Sequence, residues 1–225
     1  MKRLLLCLLI AATSALATGP AYVQSKSTTA ATSLAFTSNN TAGNLIIVVI
    51  GDWNGSPYTG VTDSRNTYVS LGCAPAIVAG VFDQANLCAW IATGIGAGAN
   101  TVTISGGSAA GGGPSLAILE YTPGTNLNIL PMLTIAANAT AMPSSGAWLA
   151  EWAFSGAVTM VTAFYDPHSS HTWTVSSGNL REQTSESGGQ TLAVADEQKT
   201  TITAGYSITF SGASAVGDLG AIQIP

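Results

Sequence analysis

The chain has 225 residues, with 6 Lys or Arg against 11 Asp or Glu, a net charge of −5, and 47% apolar residues. That apolar share, with only 8% charged residues, excludes a disordered chain, which pairs low hydrophobicity with high charge. The acidic balance excludes nucleic-acid binding, which rests on a basic footprint.

The first 17 residues place Lys2 and Arg3 before an apolar run and end on Ala15, Leu16 and Ala17. This is the form of a secretory signal peptide cut after Ala17, with Cys7 inside its apolar core. The expectation is an exported chain of residues 18–225 that carries a charge of −7 once the two cations leave. No later segment approaches the ~20 consecutive apolar residues of a membrane helix, so no span is expected in the mature chain.

Strand signals follow along the whole length. Leu45–Ile50 (LIIVVI) is a continuous β-branched run, as in a strand buried on both faces. Thr101–Ser105 alternates, placing Val102 and Ile104 on one face, and Tyr206–Phe210 does the same. Leu116–Tyr121, Val158–Tyr165, Thr191–Ala195 and Leu219–Ile224 read as further strands. Ala147–Phe154 (AWLAEWAF) fits a helix face through Trp148 and Trp152 and a strand through its even positions; bounded by Gly146 and Gly156, it is read as a strand. The breaks are rich in Gly, Ser, Asn and Pro, which supply turn geometries. Residues 122–146 read as a crossover that packs. The pattern predicts an all-β fold, a jelly-roll-like β-sandwich built from two related halves.

The halves show in the sequence itself. LIIVVIGDWNGSPYTGVTDSRN (45–66) aligns with VTMVTAFYDPHSSHTWTVSSGN (158–179), setting Asp52 on Asp166 and Asn66 on Asn179. Val102 and Ile104 fall on Ile208 and Phe210, and LAILEY (116–121) on LGAIQI (219–224). The expectation is one sandwich domain over residues 18–225, with half-repeats at about 43–121 and 156–224. Cys73 and Cys88 fall in the first half only. In an exported chain such a pair is read as a disulfide, closing a loop worth about 3 kcal/mol on the chain-entropy model.

The strings AGNLIIVV, VTDSRNTY, ANTVTISG and LAILEY resemble a group of uncharacterised bacterial secreted β-sandwich proteins with the pattern GNLIVV, VTDSxGNTY, GANTVTV and LxIxEY. The likeness covers about residues 43–225 and implies a secreted sandwich, with no activity and no catalytic residue to transfer. VTDSRNTY lacks one residue around the turn glycine of that pattern.

Few groups are available for chemistry. Asp166, His168 and His171 (DPHSSH) have a metal-like composition but share no regular face, and read as a solvated loop. No G-x-S-x-G elbow follows a strand, and GGSAAGGGP (106–114) lacks the Lys and helix of a phosphate loop. Glu120 and Glu151 lie in apolar strands, where burial would raise a carboxyl pKa, but they read as outward polar residues. Asp52, Asn54, Asp63 and Asn66 offer hard oxygens in turns, a candidate calcium set that Asx turns explain equally well. Trp53, Tyr58 and Trp173 lie in matching Gly- and Ser-rich loops and form a candidate sugar- or partner-binding rim, while Trp90, Trp148 and Trp152 read as core. The expected role is therefore a secreted, non-catalytic module binding a glycan or cell-surface partner, with no cofactor other than the candidate calcium and with homo-oligomerisation left open. A structural surface or fibre subunit is the alternative, and a glycan-active enzyme the third reading.

Overall fold

A computed structural model describes residues 19–52, 58–75, 86–107, 113–124, 133–142, 145–150, 158–166, 172–185, 190–199, 206–211 and 215–224. Side chains are described for 19–52, 58–73, 87–107, 113–124, 158–166, 172–185 and 190–198. The fold is all-β, and among the described residues it has sixteen strands and no helix.

The first eight strands are β1 (Tyr22–Thr29), β2 (Ser33–Ala35), β3 (Leu45–Asp52), β4 (Tyr58–Thr62), β5 (Val69–Pro75), β6 (Asn86–Thr93), β7 (Thr101–Gly106) and β8 (Ser115–Tyr121). The second eight are β9 (Leu133–Met142), β10 (Ser145–Ala150), β11 (Val158–Asp166), β12 (Thr174–Val175), β13 (Asn179–Ser185), β14 (Thr191–Lys199), β15 (Tyr206–Ser211) and β16 (Ala215–Ile224). The first unit has sheets ordered β1-β8-β3-β6-β5 and β2-β7-β4, and the second β9-β16-β11-β14-β13 and β10-β15-β12. Adding eight to every strand number converts one unit into the other. In each unit the chain alternates between the two sheets except at one hairpin, β5–β6 or β13–β14, which is a jelly-roll-like path.

Residue periodicity explains the layering. On β3, Leu45, Ile47 and Val49 enter a core shared with Val161, Ala163, Tyr165, Leu192 and Val194 of the second unit. Ile46, Val48 and Ile50 point the other way, onto Leu34, Val61, Val102 and Ile104 of the small sheet. The two five-stranded sheets therefore pack face to face, and β3 and β11 are buried along their whole length. That is why both read as unbroken apolar runs. Across this interface β1 lies against β13 and β5 against β9, while β8 lies against β14 and β6 against β16. Exchanging the units maps each contact onto another in the set, the property of an isologous, twofold interface. Equivalent positions also touch: a Cβ added at Gly51 would sit 2.2 Å from the ring of Tyr165, its counterpart in the repeat.

Several details depart from the sequence reading. Residues 122–146 contain β9 and the start of β10, and β9 pairs with β16 as an edge strand where a crossover was expected. The repeat also takes in β1, β2, β9 and β10, which the alignment does not reach. Val69, not Asn66, shares Asn179's register, since Val69 pairs with Ile91 and Asn179 with Asp196. The cause is a turn of six residues after β4 against three after β12. Strand β10 (Ser145–Ala150) takes up the ambiguous AWLAEWAF segment as far as Ala150, with Trp148 paired to Ile208; residues 151–154 lie outside the described residues.

Candidate functional site

Repeat symmetry makes the molecule its own control for locating a site. Strands β5 and β13 carry the same β-bulge, between Ser70 and Gly72 in one and between Leu180 and Glu182 in the other. The extra residue is Leu71 in the first unit, where it packs on the shared core, and Arg181 in the second. Bulges re-aim a side chain out of the ladder, and here one device presents an apolar plug in one copy and a cation in the other. The strand beside it changes in parallel: Asp196 occupies the register of Ile91.

Arg181 is held on two sides. Its Nε donates to Asp196 Oδ1 at 2.9 Å, and its guanidinium carbon lies 3.8 Å above the ring of Tyr22 on β1. Asp196, only 2% exposed, also accepts from the Tyr121 hydroxyl at 3.0 Å. Burial, then the charge of Asp196 and its hydrogen bond, push the Tyr121 phenol well above its ordinary pKa, so it stays a neutral donor. Tyr22 meets Tyr121 edge to face at 5.9 Å. Next along the seam, Glu182 accepts from Ser25 at 2.5 Å and from Ser27 at 2.6 Å. Gly178 closes the turn before β13 at φ +72°, where an added Cβ would come within 2.2 Å of the Asp196 carbonyl. The result is an open cleft of about 490 Å³ at the seam of the two units, lined by Tyr22, Asn179, Arg181, Asp196, Glu197 and Gln198.

The expected binding rim is corrected in part. Tyr58 is 5% exposed and donates to Asp52 Oδ2 at 2.6 Å, with burial and then Asp52 raising its pKa. Trp173 is 4% exposed, its ring 4.6 Å from Phe164. Both rings are packed into their units and offer no face to a ligand, because an aromatic in a Gly- or Ser-rich stretch gains more by covering the adjacent core. Trp53, Asn54, Glu151, Trp152, His168 and His171 lie outside the described residues.

The calcium set is corrected at Asp63. Its Oδ1 accepts the backbone N–H of Arg65 at 2.7 Å and of Asn66 at 2.6 Å. Its Oδ2 accepts from the Asn66 amide and the Tyr68 hydroxyl, each at 2.7 Å, and from the Asn100 amide at 2.9 Å. Burial opposes ionisation, but these donors outweigh it and hold the carboxyl below its ordinary pKa. A cation would face the positive ends of five donor dipoles. Asp52 is fully buried and already bonded by Tyr58. Among the described residues no three His, Cys, Asp or Glu side chains form a group that could hold a metal.

Glu120 does not face outward, as expected, but is fully buried. Oε1 accepts from the Thr41 N–H at 2.8 Å and the Asn44 amide at 2.7 Å, and Oε2 from Gln24 at 2.6 Å and Asn40 at 2.7 Å. Burial alone would raise its pKa; the four donors reverse the sign and keep it low. Cys73 and Cys88, opposite each other on β5 and β6, form a disulfide. Trp90 is core, at 3% exposure. Among the described residues no helix is long and apolar enough to cross a membrane. Comparison with protein-family models, curated proteins and solved structures finds no match.

Proposed function

We propose that the chain is an exported, non-catalytic recognition module that binds a glycan or cell-surface partner. The observation that carries this reading is the seam cleft, whose central Arg181 is fixed from below by Asp196 and from the side by Tyr22. A binding group whose rotamer is locked by its neighbours loses little entropy when a ligand arrives.

Export is supported by the leader-like residues 1–17 and by the cross-strand disulfide. The absence of turnover is supported by the half-buried Asp63 and the buried Glu120. Their donors stabilise the ionised form, the opposite of what a general acid requires. A fibre-forming role is disfavoured by six of the eight sheet edges among the described residues. Strands β1, β4, β5 and β13 all carry bulges, and β2 and β12 have three and two residues; such edges resist strand-to-strand association.

The test is an array of immobilised glycans probed with the mature chain, together with an assay for released sugar. Retention on a defined glycan subset with no release is expected. Failure to bind any glycan overturns the glycan reading, and release of product overturns the non-catalytic one.

A further inference from the structure

The two copies differ in polarity at matched positions, and that difference reveals what the cleft takes. The first unit completes its fold with Leu71 at the bulge and Ile91 on the neighbouring strand. The second places Arg181 and Asp196 there. The apolar pair suffices for the fold of the first unit, and an ion pair whose Arg181 side chain is 23% exposed adds little stability of its own, so the exchange leaves a partly exposed cation at the cleft that the first unit does without.

We infer that the cleft is a subsite for one ring of a neutral carbohydrate, held through a vicinal diol; this rests on the glycan reading proposed above. Arg181 spends Nε on Asp196, and its two terminal nitrogens make no hydrogen bond to the described residues. They form a planar fork, fixed against the Tyr22 ring at 3.8 Å. Adjacent sugar hydroxyls can accept from such a fork and donate onward to carboxylate or amide oxygens. Those acceptors stand beside it: the side-chain oxygens of Asn179 and Gln198, the latter giving its amide N–H to the Pro20 carbonyl at 2.7 Å, and the carboxylate of Glu197, whose Oε2 also accepts from Ser177 at 2.9 Å. The mixture of donors and acceptors matches hydroxyl groups, each of which is both.

Charge selects against acidic glycans. The cleft holds one cation, Arg181, against two carboxylates, Asp196 and Glu197, on a chain of net charge −5. A polyanion is repelled by both the local and the overall field. The cleft volume of about 490 Å³ lies in the range of small-ligand sites and accommodates a hexose ring.

The experiment is calorimetric titration of the mature chain with neutral gluco-, manno- and galacto-oligosaccharides, and with uronate oligomers of matched length, at low salt. Wild type is compared with Arg181→Lys, which keeps the charge but loses the fork, and with the double variant Arg181→Leu, Asp196→Ile, which copies the first unit. A neutral oligosaccharide should bind, with uronates weaker by about tenfold or more. Both variants should lose about tenfold or more in affinity. Arg181→Lys should keep its melting temperature within about 4 °C of wild type, whereas the double variant should melt lower because it leaves the buried Tyr121 hydroxyl without its Asp196 acceptor; if the double variant does not fold, Arg181→Lys alone decides. Neutral-glycan binding that neither variant weakens overturns the cleft assignment and leaves the glycan reading standing. Preferred uronate binding overturns the ligand class. Binding to no glycan overturns the glycan reading itself.

Discussion

Substituting Gly51 by Ala probes the face-to-face packing of the two units. In a strand exposed on one side, Gly→Ala is favourable by roughly 0.5–1 kcal/mol, because glycine loses more backbone entropy on folding. Here the new methyl would lie 2.2 Å from Tyr165 Cδ2 and 2.6 Å from Cγ, against an ordinary carbon contact of roughly 3.5–4 Å. The ring must therefore shift by more than an ångström. It is fully buried and tethered through its hydroxyl to Gln190 Oε1 at 2.8 Å. Overpacking a core costs about 1–3 kcal/mol; a contact this close lies at the upper end, and less the backbone gain a net loss of about 2 kcal/mol is expected. Urea denaturation followed by tryptophan fluorescence measures it. A double-mutant cycle adds the partner: Tyr165→Leu makes room, so Gly51→Ala should cost about 1 kcal/mol or less in that background. Equal or greater stability of Gly51→Ala in the wild-type background would show that the units do not meet there.

Other outcomes follow from the hydrogen-bonded carboxylates and the disulfide. Asp63 and Glu120 have folded pKa values below their ordinary ones. Their stabilisation is therefore complete above the unfolded carboxyl pKa of about 4 and is lost as pH falls through the folded values. Urea midpoints should be flat near neutrality and fall below about pH 4; a midpoint rising on acidification contradicts the assignment. Glu120→Gln should cost about 2–4 kcal/mol at pH 7, since it turns one acceptor oxygen into an amide facing two donors, and should flatten the acid limb. Reducing the Cys73–Cys88 bond should lower stability by about 3 kcal/mol, read as a shift of the urea midpoint, and the denatured, unreduced mature chain should titrate no thiol. Calcium at millimolar concentration should leave the melting temperature unchanged, because Asp63 is already satisfied by five donors; a rise of several degrees would place a cation there after all.

The legible parts of the fold were those where burial leaves a periodic trace. Strand β3 is enclosed by two cores and shows as an unbroken apolar run, while β7 covers one core and alternates, with Val102 and Ile104 inward. Strand β1 left no such trace. Its YVQSKSTT sequence is polar because Ser25 and Ser27 bond to Glu182 across the seam, so neither burial nor alternation marks it. The strand β9, rich in Ala and Thr, was hidden for want of large apolar residues.

The site was less legible than the fold. Tyr58 and Trp173 sit in loop-like composition yet are buried; composition reports the turn and not where the ring folds back. Glu120 sits in an apolar strand, and its donors come from residues 24, 40, 41 and 44, so its environment is a tertiary property. The seam cleft joins Tyr22 to Arg181, residues distant in sequence. One signal could have found it: the repeat, aligned with its bulge, sets Arg181 against Leu71 and Asp196 against Ile91. The alignment from Asn66 to Asn179 missed that register by the three residues that separate the two turns.

The seam cleft is tested most directly by two-dimensional amide NMR of the mature chain titrated with the neutral oligosaccharide that binds it tightest. Saturable shifts should appear at Tyr22, Asn179, Arg181 and Gln198, on both sides of the seam, and should be absent in Arg181→Lys at the same concentration. Shifts confined to other surfaces, with those four amides unmoved, would contradict the account.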